Sequence, residues 1–107
     1  MSGWLALMAA AAVTAASVAP LSPEAEQGRR VAERNCAMCH AVGPQTRSPN
    51  GGAPTFRALD LRYGNSVSLE QALRRVAKQG HFEMRKQAVS DPDIPALAAY
   101  IETLRSH

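Results

Sequence analysis

The sequence predicts an all-α domain, and three observations carry that reading. Apolar residues recur at the i, i+3, i+4 spacing of amphipathic helices. Cap-forming residues precede these runs, and no run alternates as a strand would. Both cysteines lie in one short motif, Cys36-Ala37-Met38-Cys39-His40, whose spacing suits a helical turn. Together they imply three main helices and a short fourth.

In chain order, Ser22-Pro23 reads as an N-cap followed by proline at the first helical position. Glu24 and Glu26 suit the positive end of a helix running from Pro23 to about Arg34. Ala25, Gly28, Val31 and Ala32 form its apolar face. A glycine there costs about 1 kcal/mol against alanine. Close approach of a second helix would explain it. Ala41 to Gly52 is a loop rich in Gly, Pro, Asn and Ser, ending in a tight turn at Asn50-Gly51-Gly52. Thr55 caps a short helix to about Tyr63, with Phe56, Leu59 and Tyr63 on one side. Ser68 and Gln71 form a capping box. It opens a helix that turns Leu69, Ala72, Leu73 and Val76 inward and stops at Gly80. After a loop holding His81 and Met84, Ser90-Asp91-Pro92-Asp93 signals a last helix start, with Pro95 blurring its first turn. Ile94, Leu97, Ala98, Ile101 and Leu104 make its stripe, which ends near Arg105.

Cys-x-x-Cys-His is a c-type haem attachment pattern. In a helical turn Cys36, Cys39 and His40 share one face. Two thioethers can then grip a haem while the adjacent imidazole reaches its iron. A thioredoxin-like dithiol requires a βαβ context, and no strand pattern surrounds this motif. A structural zinc site requires further ligands, and there is no second cysteine pair. A plain disulfide is the bland alternative. One covalent haem c is the expected cofactor.

Residues 1–19 read as a signal peptide or an N-terminal anchor, and residues 20–107 as the domain. Met1 to Pro20 carries no charged side chain, and Trp4 to Val18 is almost continuously apolar. The expected cleavage is near Ala15, Ala16 or Ala19. No Lys or Arg precedes the apolar run, which leaves an uncleaved anchor open, although about fifteen residues is short for a membrane span. Export to the periplasm agrees with covalent haem attachment. A domain of this size buries little apolar surface alone, and a covalent haem would act as its staple.

The twelve Lys and Arg and nine Asp and Glu give a formal charge of +3. Two haem propionates would bring it to roughly +1. That balance, with no basic tract interleaved with aromatics, argues against nucleic acid. Arg57 and Arg62 are near enough in sequence to meet propionates; an exposed surface arginine explains each equally well.

His40 supplies one axial ligand. For the other, His81 and Met84 are the serious choices, ahead of Met38, His107, Lys78 and Lys86. A thioether raises the haem potential, a second imidazole lowers it, and chemistry alone does not choose.

From about Ser22 onward the chain resembles the bacterial class I monohaem c-type cytochromes. Gly28 matches that family's first-helix glycine, and Leu97-Ala98-Ala99-Tyr100-Ile101 resembles its last helix, whose aromatic packs on that glycine. Pro54 resembles the proline whose carbonyl accepts a hydrogen bond from the haem-ligating imidazole, here His40. The resemblance implies the cytochrome c fold and makes Met84 the distal iron ligand. One departure is Arg85, where the family commonly has proline after that methionine. Without proline's fixed φ the Met84 loop should open more easily.

The implied function is one-electron transfer in the periplasm by a monomer that is not an enzyme. Its partners would be a dehydrogenase as donor and an oxidase or reductase as acceptor. Lys78, Arg85 and Lys86 could form a basic docking patch, or simply be solvated. Membrane contact follows only from an uncleaved leader. Two alternatives are a haem-based sensor with a labile Met84 and a dedicated haem subunit of a periplasmic dehydrogenase.

Overall fold

A computed structural model describes Gly3, residues 20–80 and residues 89–106. The rest of the leader, His81, Met84, Arg85, Lys86 and His107 lie outside the described residues, so expectations that fall on them concern sequence only. Four α-helices form: α1 (Pro23–Asn35), α2 (Phe56–Tyr63), α3 (Ser66–Gln79) and α4 (Ile94–Thr103). Single 3-10 turns occupy Asp91–Asp93 and Leu104–Ser106, and the described residues contain no strand.

The start of α1 follows its local chemistry. Ser22 Oγ accepts a hydrogen bond from the Ala25 amide at 3.1 Å, and Pro23 follows where no amide is needed. Ala25, Gly28, Val31 and Ala32 are its buried residues, as the spacing predicts. They pack against α4, which forms the main interface of the fold. A Cβ placed on Gly28 would overlap the Ala96 carbonyl oxygen and lie 2.6 Å from the Ala96 carbonyl carbon and 2.8 Å from Tyr100 Cβ. The glycine therefore lets two backbones touch, with Ala96 covering it as closely as Tyr100 does.

Thr55 caps α2 through its hydroxyl, which accepts from the Ala58 amide at 3.1 Å. The helix ends at Gly64 with φ +72°. For α3 the expected capping box is corrected. Asn65 is the N-cap, its side-chain oxygen accepting from the Ser68 amide at 2.9 Å. Asn caps as well as Ser, so the helix starts one turn earlier and Ser68 sits inside its first turn. The Gly80 amide closes the other end on the Val76 carbonyl at 2.7 Å.

The inward face of α3 also needs amendment. Leu69, Ala72 and Ala77 are buried, whereas Leu73 and Val76 stay half-buried. At Ser90–Asp93 a 3-10 turn precedes α4, and the Ser90 hydroxyl donates to the Asp93 carboxylate at 2.8 Å instead of capping an amide. Pro95 falls in the first turn of α4, where a missing amide costs nothing. All five residues of the predicted α4 stripe are buried. No helix among the described residues is long and apolar enough to cross a membrane.

Candidate haem-binding turn and its supports

The Cys36–His40 turn continues directly from α1. The Cys36 amide bonds the Ala32 carbonyl at 2.9 Å, and the His40 amide bonds the Cys36 carbonyl at 2.9 Å. This i to i+4 closure brings Cys36, Cys39 and His40 to one face. Cys36 is buried, while Cys39 and His40 are half-buried. Met38, between the cysteines, is 90% exposed and faces solvent, as expected of a residue on the other side of the turn. Burial pushes the Cys36 thiol up to about 11, so near neutral pH it keeps its proton. A thioether sulfur has no proton to lose, and the same apolar surroundings suit it.

Pro54 stands before α2, and its carbonyl lies 2.7 Å from His40 Nδ1. A carbonyl can only accept, so Nδ1 carries the proton. In the neutral ring that makes Nε2 the nitrogen with the lone pair, the form a metal takes up. The His40 ring also meets Phe56, the first residue of α2, at 5.5 Å between centroids.

Three further bonds hold the segment after the turn. The Ala41 amide donates to Ser48 Oγ at 2.9 Å, and the Ala41 carbonyl accepts from the Phe56 amide at 2.9 Å. The Tyr100 hydroxyl, from α4, donates to the Val42 carbonyl at 2.5 Å. Burial, followed by the charge of Glu33, raises the Tyr100 phenol above its ordinary pKa and keeps it a donor.

Residues 23–101 match the family described as cytochrome c oxidase, cbb3-type, subunit III. The chain belongs to this family of c-type cytochrome domains. The match spans α1, the Cys36–His40 turn, Pro54, α2, α3 and most of α4, and the all-helical architecture is the cytochrome c fold. The family's chemistry is haem-based electron transfer. No solved structure matches the chain.

The residues of this cytochrome domain fit a haem. The donor set is two sulfurs and an imidazole with its proton on Nδ1. Leu59 and Tyr63 of α2, with Leu73 and Val76 of α3, are half-buried and line a cleft of about 150 Å³. Half-covered apolar side chains at such a cleft suit a flat apolar ligand. Of the basic residues noted in the sequence, Arg62 stacks over the Tyr63 ring at 5.8 Å, Arg57 is half-buried on α2, and Lys78 is exposed on α3.

Ser48 and the Asp60–Arg105 pair escaped the sequence reading. Ser48 is buried inside a loop that carries no periodic signal. Asp60 is only 2% exposed, and Arg105 grips both its oxygens at 3.0 Å. The signal was present for Asp60, which occupies the buried stripe of α2 beside Phe56, Leu59 and Tyr63. A carboxylate there needs a cation. Arg105, just past α4, gave no sign of supplying it.

Proposed function

We propose that this chain is an exported, periplasmic one-electron carrier holding a single covalent haem c, with His40 and Met84 as its iron ligands. The observation that carries the reading is the contact between His40 Nδ1 and the Pro54 carbonyl, next to the paired cysteines. It orients the imidazole and selects the tautomer suited to ligation.

Cys36 and Cys39 would each add S–H across a vinyl group, forming one C–S bond per cysteine without any change of oxidation state. Bound haem supplies a reversible one-electron couple. His40 would hold one axial position, oriented by the carbonyl of Pro54. Met84, assigned by its place in the sequence, would hold the other. A thioether there needs no deprotonation and favours the reduced form.

The family description names an oxidase subunit, which supports an oxidase as electron acceptor. It also supports a second reading, in which the domain is a haem subunit held by one respiratory enzyme.

The test is to produce the full chain with haem-maturation machinery and record oxidised and reduced spectra, with and without carbon monoxide. A methionine–ferric charge-transfer band with no response to carbon monoxide is expected. Rapid carbon monoxide binding without that band would overturn Met84 as a stable ligand and favour a sensing role. Intact mass should show one haem per chain, and Cys36→Ala or Cys39→Ala should lose one thioether.

A further inference from the structure

One arginine of α3 stands apart from its neighbours. The α2 stripe begins at Phe56, beside His40, and continues through Leu59 to Tyr63. The seven helical rises from Phe56 to Tyr63 span about 10 Å, the scale of a porphyrin ring. At the far end, Leu59 and Tyr63 face Leu73 and Val76 across the apolar cleft, whose lining includes one cation, Arg75.

Three other arginines nearby are engaged. Arg74 pairs with Glu70 at 3.4 Å, Arg62 lies over Tyr63, and Arg105 holds Asp60. Among the described residues no carboxylate pairs with Arg75. A guanidinium beside an apolar cleft complements a ligand with an apolar body and a carboxylate arm.

We propose that Arg75 binds a haem propionate and so positions the haem edge in the α2–α3 cleft. This rests on the haem-carrier reading above. Arg75 would keep that carboxylate ionised and offset its negative charge. Without Arg75, the uncompensated carboxylate would favour the ferric state, which carries one more positive charge, and its own pKa would rise. Among the described residues, the titratable groups lining the cleft are Arg75 and the Tyr63 phenol. Arg62 of α2 covers the Tyr63 ring, and Glu70 and Arg74 of α3 occupy each other. From α4, Tyr100 is bonded to Val42, and Glu102 is that helix's one carboxylate.

The experiment compares the haem-loaded full chain with Arg75→Gln, Arg75→Lys and Arg74→Gln by spectroelectrochemistry across pH. Arg74→Gln removes the same charge from the same helix. Arg75→Gln should lower the midpoint potential and move the inflection in its pH dependence to higher pH. Arg75→Lys should restore most of both, and Arg74→Gln should leave the inflection in place. Equal behaviour of Arg75→Gln and Arg74→Gln, with normal haem spectra, would overturn the Arg75 assignment alone. Absence of haem from the unsubstituted chain would overturn the carrier reading together with it.

Discussion

Gly28 and His40 show how single residues set this molecule's geometry. Gly28 lies where the α4 backbone passes closest to α1. Alanine would gain about 1 kcal/mol in helix propensity. Its methyl would meet backbone, which cannot swing aside as a side chain can, and overpacking typically costs 1–3 kcal/mol. Gly28→Ala should therefore lower net stability by up to roughly 2 kcal/mol in a denaturant melt. An unchanged midpoint would mean the overlap costs no more than the gain in helix propensity. For His40, the partner is a main-chain carbonyl, so the residue type at 54 matters for where it puts that carbonyl.

At the scale of elements, caps decide where helices begin. Asn65 and Ser68 give a direct comparison in α3. Asn65→Ala should cost about 1 kcal/mol, the usual loss of an N-cap. Ser68→Ala should cost less, because the bond at that position uses the Ser68 amide, which alanine keeps. Equal losses in thermal melts would point back to the capping-box arrangement. Tyr100 ties α4 to the segment after the Cys36–His40 turn. Tyr100→Phe should cost about 1 kcal/mol, the net worth of a hydrogen bond. The phenol's raised pKa also has a sign. The folded chain holds this proton after the unfolded chain has released it, so stability falls as pH rises past the ordinary tyrosine value near 10. Tyr100→Phe should flatten that part of the alkaline unfolding curve.

Across the whole molecule, the Asp60–Arg105 pair closes the chain on itself, joining α2 to the turn after α4. Asp60 is enclosed while Arg105 remains largely at the surface. The bond to Asp60, then its charge, raises the Arg105 pKa, so the cation persists at any working pH. Removing Arg105 would leave a buried carboxylate without its cation. Arg105→Gln should destabilise the fold, and adding Asp60→Asn should recover part of that loss. Strict additivity in this double-mutant cycle would show that the pair is not coupled.

Much of this was readable from local pattern. The faces of α1 and α4, the Ser22 and Thr55 caps, the Gly80 stop and the Cys-x-x-Cys-His turn all depend on residues within about two helical turns of each other. Their chemistry is complete at that range. The capping box on Ser68 misled because two cap-competent residues stand three positions apart, and local propensity ranks them almost equally. The bond from Ala41 to Ser48, the grip of Arg105 on Asp60 and the half-covered state of Leu73 and Val76 belong to another class. Each depends on which segments the packing of α1 on α4 brings alongside. A sequence can require that a buried carboxylate find a cation, or that a glycine admit a neighbour. Which cation and which neighbour answer was settled only when distant segments met in space, because burial is a property of the assembled chain.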